Sequence, residues 1–170
     1  MSTAAARLCV ECGMCCNGVM FSVVKLQPGE SAKSLGALGL KVKRGAFAQP
    51  CTALEGLRCS IYAQRPTRCR LFECQQLKRV AEGTITEATA LEAIREAQRR
   101  VAELEALLEK AGGSNPRKSL FHRCITVLTE LPTSELREQL AQAMESLEAM
   151  LDADFRTPDA TGTASSPHIP

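Results

Sequence analysis

Four cysteines fall within eight positions of this chain of 170 residues, Cys9, Cys12, Cys15 and Cys16. A thiolate is a soft ligand suited to zinc and to iron–sulfur centres, and a Cys-x2-Cys step lets two of them reach one ion across a tight turn. Gly13 sits inside the run, where the lack of a Cβ allows the backbone to curl round a metal. Tetrahedral sulfur sites need four ligands, so distant groups must complete any site begun here. Cys51, Cys59, Cys69 and Cys74 are available further along. Eight sulfurs suffice for two four-ligand sites. Neighbouring side chains diverge, so Cys15 and Cys16 are not expected to share an ion. Two centres, or one centre with a spare thiol, both remain open.

Competing explanations for so many cysteines are weaker. An isolated cysteine is often a buried apolar thiol, but four within eight residues do not fit that pattern. Residues 1–8 hold one arginine and no apolar run, so no secretory signal is read there and the expected compartment is the cytoplasm. Thiols stay reduced there, which favours metal or redox chemistry over disulfides. Charge points the same way. Residues 1–80 carry twelve Lys and Arg against four Asp and Glu, a balance of +8, whereas residues 81–170 carry nine against fifteen. Eight bare thiolates would cost a small domain heavily in desolvation; divalent ions and the nearby Arg58, Arg65, Arg68 and Arg70 would offset that charge. The overall composition, 45% hydrophobic and 24% charged, excludes wholesale disorder, and no apolar run is long enough for a membrane span.

The elements that must place these thiols divide at about residue 80. In the front half, Val19 to Leu26 reads as a strand ending at Gln27-Pro28-Gly29, and residues 30–38 as a short helix. Leu40 to Val42 reads as an edge strand, and Thr52 to Tyr62 as a tight hairpin turning at Glu55-Gly56 and carrying Cys51 and Cys59 near its arms. Arg65-Pro66 opens a helix with Pro at its first position. Thr67 to Val80 has no breaker, so Cys69 and Cys74 are expected on one helix. The rear half repeats apolar residues at helical steps: Leu91, Ile94, Ala97, Val101, Leu104, Leu108 and Ala111, then Leu120, Cys124, Val127, Leu128 and Leu131, then Leu136, Leu140, Ala143, Leu147 and Leu151. Thr84 and Glu87 have capping-box spacing, and Gly112-Gly113 ends the first of these helices. From Asp154 the periodicity stops. The expected architecture is α+β: a cysteine-rich metal-centred domain with short strands and a helix over 1–80, a helical extension packing on it over 81–153, and a disordered tail over 154–170.

The string Cys9-x2-Cys12-x2-Cys15-Cys16, Pro50-Cys51, then Cys59-Ser-Ile-Tyr62-x2-Arg65-Pro66-x2-Cys69-Arg70-x-Phe72-x-Cys74 resembles the YkgJ-like, CxxCxxCC cysteine cluster family, a largely bacterial family of zinc- or iron-chelating domains. The resemblance covers residues 9–74. It implies that the eight cysteines are metal ligands. Tyr62, Arg65, Pro66 and Arg70, which the resemblance includes, are read as supporting those ligands or opening a helix rather than as catalysts. Flagellin lysine methylases are similar in the cysteine motif and are associated with an iron–sulfur cluster. This chain is shorter and has no motif for a methyl donor, so that activity is not carried over.

Spacing leaves the metal open between zinc and an iron–sulfur cluster. The first three cysteines match the step that wraps a cubane cluster, but no Pro follows as in the ferredoxin run. Only one clean Cys-x2-Cys knuckle argues for zinc. A catalytic centre wants a base or an open metal position. The front offers only Glu11 and Glu73, read as solvated spacers, and no histidine; His122 reads as solvent-facing and Cys124 as core. The leading expectation is therefore a metal-binding protein without an assigned activity. The alternatives are an iron–sulfur redox or modifying enzyme component, and a zinc-stabilised nucleic-acid or protein interaction module. One Tyr, five Phe and no Trp argue against stacking on single-stranded nucleic acid. A protein partner on the acidic rear helices is the more natural one, with the chain a monomer or small homo-oligomer and no membrane involved.

Overall fold

A computed structural model describes residues 3–113 and 115–157. Its front half alternates brief helices and strands: α1 (Thr3–Cys12), β1 (Val23–Lys25), α2 (Ala32–Ala37), β2 (Ala46–Ala48), β3 (Leu54–Glu55), β4 (Arg58–Cys59), a single 3-10 turn (Tyr62–Gln64), α3 (Thr67–Leu71) and α4 (Gln75–Ala81). The rear half is three long helices, α5 (Glu87–Lys110), α6 (Leu120–Glu130) and α7 (Glu135–Asp154). The fold is α+β, as expected. Among the described residues no helix is long and apolar enough to cross a membrane.

Two antiparallel ladders make up the strand content. β1 pairs with β2, Val24 opposite Phe47, and β3 pairs with β4, Leu54 opposite Cys59. The hairpin turns at Gly56-Leu57, one residue beyond the expected position, because Glu55 is already paired with Arg58. Only the middle of the Val19–Leu26 run is strand. Leu40–Val42 is not a strand; Ala46–Ala48 takes the ladder beside β1 instead, leaving a lone bridge between Lys43 and Ala46.

The main core draws on both sides of residue 80. Leu8, Met14, Val19 and Met20 pack with Ala90, Ile94, Ala97, Leu104 and Leu108 of α5, Leu120, Cys124 and Val127 of α6, and Leu140, Leu147 and Leu151 of α7. The rear apolar stripes thus face inward as periodicity requires. Cys124 is fully buried among them, whereas His122 is exposed. A second, smaller core of Val24, Leu35, Leu40, Phe47, Ala53 and Ile61 lies under the two ladders.

Three local expectations are corrected. The helix expected over 67–80 is broken: α3 ends at Leu71, Phe72 is extended with ψ 122°, and Cys74 is the N-cap of α4 with ψ 166°. The cause is competition between the cores. Phe72 packs against the main core and meets Phe21 edge-on at 5.0 Å, while Cys69 packs against the small one, and one straight helix cannot serve both. Pro66 precedes the first helical position as the N-cap of α3. The cap of α5 is Thr86, whose hydroxyl accepts from the Thr89 amide, while Thr84 donates its hydroxyl to the Arg79 carbonyl.

Order also continues past Asp154. α7 runs through that residue, and Phe155 and Thr157 are buried, so the expected tail boundary is too early. Residues 158–170 of the expected tail lie outside the described residues.

Candidate metal centre

The cysteines arrive from five elements. Cys9 and Cys12 ride on α1, a helix the sequence reading did not anticipate, and Cys15 and Cys16 stand in the turn that follows. Gly13 makes that turn. Its φ of +64° favours a residue without a side chain, and an added Cβ would lie 2.8 Å from Leu57 Cδ2. The Gly13 amide donates to the Cys9 carbonyl and the Cys16 amide to the Gly13 carbonyl, at 3.1 and 2.9 Å. Gly18, at φ +87°, has little room for a side chain: an added Cβ would lie 3.0 Å from Ser119 Cα and 3.3 Å from Pro50.

Cys51 follows β2 and Cys59 lies on β4; the Leu54 amide donates to the Cys51 carbonyl and Leu54 pairs with Cys59, holding the two together. The Cys51 amide donates to the Cys16 carbonyl at 2.8 Å, joining this hairpin to the first cysteine run. Cys69 comes from α3, and Cys74 from the start of α4.

None of the nine cysteines is in a disulfide, and the eight front thiols are all partly buried. Burial pushes the Cys12, Cys16 and Cys69 thiols up to about 12 and raises Cys15 well above its ordinary value, because a thiolate loses hydration there. The neighbouring sulfurs add to the effect. Cys9, Cys12 and Cys15 are each raised further by Cys74, and Cys16, after burial, by Cys51, Cys69, Cys59 and Cys9. Cys69 in turn responds to Cys51 and Cys59. Burial also raises Cys74, opposed by the amides of Leu77 and Gln76 in the first turn of α4, neither of which reaches full hydrogen-bond geometry.

Among the described residues no three His, Cys, Asp or Glu side chains stand at the spacing of a closed ligand shell. Protonated thiols have no attraction that would draw them so close. The donor set is the informative feature: eight reduced sulfurs, with no histidine from the front half. That chemistry fits zinc or an iron–sulfur centre and fits hard ions such as magnesium poorly.

The supporting residues divide. Arg65 stacks its guanidinium 3.7 Å from the Tyr62 ring centroid and donates to the carbonyls of Tyr62 and Cys69. Its positive charge favours the thiolate forms of Cys9 and Cys69. Pro66 is buried at the head of α3. Arg70 is exposed and donates to the Thr67 hydroxyl, so it braces α3. Glu11 and Glu73 are exposed.

Several residues that position the thiols carried no local signal. The Glu30 carboxylate accepts from the amides of Gln27 and Thr67, at 2.6 and 2.7 Å, fixing the start of α3 from 37 residues away. Gln98 of α5 donates to the carbonyls of Glu11 and Cys12, closing the end of α1. Gln75 and Gln76 donate to carbonyls at the end of α7, and Arg79 pairs with Asp154. These contacts clasp the segment just after Cys74. An open cavity of about 530 Å³ lies between α1, α5 and the hairpin, lined by Arg7, Val10, Glu11, Arg58, Leu91 and Arg95 and bordered by Glu87. It contains no thiol and lies beside the cysteine site.

Such a fold defines a class, a small domain whose short elements carry many reduced thiols. Residues 8–102 match the sequence profile of the family CxxCxxCC, described as "Putative zinc- or iron-chelating domain", and the chain belongs to that family. No curated protein and no solved structure matches the chain.

Proposed function

We propose that this protein is a metal-binding protein that holds zinc or an iron–sulfur cluster through Cys9, Cys12, Cys15, Cys16, Cys51, Cys59, Cys69 and Cys74. The observation that carries the reading is the donor set: eight reduced, half-buried thiols with no disulfide among them, of which Cys12 and Cys15 lie against the main core and Cys51, Cys59 and Cys69 against the small one. A bound centre supplies either a structural crosslink or a one-electron redox site. The chain's own residues supply sulfur, exclude water through partial burial, and place the Arg65 charge near Cys9 and Cys69.

No catalytic role is assigned. Glu11 and Glu73 are exposed, and so is His122 of α6. The exposed faces of α5 and α7 remain the expected seat for a protein partner. The test is metal analysis with an absorption spectrum on protein purified without oxygen. Iron and sulfide with a broad brown band identify a cluster, and a colourless protein with stoichiometric zinc identifies a structural centre. Folded protein that takes up neither metal overturns the proposal.

A further inference from the structure

We infer that the eight cysteines form two separate four-thiolate centres, one from Cys9, Cys12, Cys15 and Cys74, the other from Cys16, Cys51, Cys59 and Cys69. The inference deepens the metal-binding reading and rests on it. Two observations, of packing and of backbone, draw the same line through the cluster.

The first is packing. Cys12 and Cys15 lie against the main helical core, whereas Cys51, Cys59 and Cys69 lie against the small core under the ladders. The second is the backbone. Cys16 is bonded to Cys51 through its carbonyl, and Leu54 ties Cys51 to Cys59. The break at Phe72 sends Cys69 and Cys74 in different directions, with Phe72 anchored in the main core between them. Cys9 and Cys74 follow their helices: Leu8 of α1, the helix that carries Cys9 and Cys12, is buried in the main core, and Leu77 and Val80 of α4, which Cys74 caps, pack against that same core.

Cys15 and Cys16 are where the sets touch. They are adjacent in the chain, but consecutive side chains point apart, and their outward neighbours differ: Cys15 lies against the main core, while the Cys16 carbonyl accepts from the Cys51 amide of the hairpin. The adjacent pair therefore divides between the centres, and each centre receives four sulfurs with none left over. This gives the double cysteine a reason: one peptide unit delivers a ligand to each side.

Metal content of the full chain, purified without oxygen, tests the division through Cys74→Ser, Cys69→Ser and the double variant. Each single variant is expected to keep half the wild-type metal and the double variant none. A single variant that loses all its metal while circular dichroism still shows the rear helices folded overturns the division, as does a double variant that keeps half. The wild-type chain loaded with cadmium-113 avoids dependence on variant folding. Separate resonances without cadmium–cadmium coupling support two centres, and resolved coupling, the mark of bridging thiolates in one cluster, overturns them. Wild-type protein that binds no metal instead overturns the metal-binding reading beneath the inference.

Discussion

The two halves of this molecule are stabilised in different ways. The rear is held by α5, α6 and α7, of 24, 11 and 20 residues, whose leucines fill a continuous apolar core. The front lends Leu8, Met14, Val19 and Met20 to that core. Its segment from β1 to α3, however, has only strands of two or three residues and a small core of six buried residues, and eight thiols are spread through the front. A core that small rarely sustains a fold, and small domains of this kind need a crosslink or a metal. The rear can therefore be expected to fold by burial alone, and the front to depend on its ligands.

Removing metal should give the largest difference between the halves. Structural zinc contributes on the order of 10–16 kcal/mol to a small site, so chelation should expose the amides of β1 to α3 to hydrogen exchange while those of α5 and α7 stay protected. Equal loss of protection in both halves would break the comparison. Next in size is Leu104→Ala, which empties part of the fully buried rear core and should cost about 2–5 kcal/mol. Urea unfolding should register that loss, with metal per folded chain unchanged.

A smaller effect is expected at the first turn. Gly13→Ala forces a side chain into φ +64° and against Leu57, at a cost of about 1–2 kcal/mol. Its chelator sensitivity should rise, because the turn separates Cys12 from Cys15. The smallest effect is Glu30→Gln, which weakens the acceptor at the head of α3 and should cost about 1 kcal/mol. Partial burial pulls the Glu30 pKa up, but the amides of Thr67 and Gln27 outweigh it and hold the carboxyl below its usual range. The charged form is thus favoured by folding. Its contribution is present above the ordinary value of about 4.3 and is lost as pH falls through the lower folded value. The stability gap between wild type and Glu30→Gln should accordingly shrink on acidification below about pH 4; a gap that widens there would refute the carboxylate's role.

The same contrast governs what could be read from sequence. In the rear, steps of three and four among Leu, Ile, Val and Ala follow directly from helix geometry, and all three helices lie where the stripes place them. The cysteine set and its family string were equally legible, because spacing records ligand chemistry. The front departs wherever a distant contact decides. The break at Phe72 depends on Phe21, the start of α3 on Glu30, and the end of α1 on Gln98. None of these pairs is close in sequence. α1 itself has a local signal in the run Ala4-Ala5-Ala6-Arg7-Leu8, whose residues all favour helix.

The clasp of Gln75, Gln76 and Arg79 on residues 152–156 sets a timetable for synthesis. With the thiols divided as proposed, all ligands of both centres have been translated once Cys74 is made. The segment that steadies Cys74 is only translated some 80 residues later, a delay of roughly 4–16 s at usual elongation rates. During that interval the nascent chain carries every sulfur it needs but lacks the brace for one of them. Metal delivered early would meet a firmer second centre and a looser first one, so the order in which the two fill would depend on whether loading occurs on the ribosome or after release.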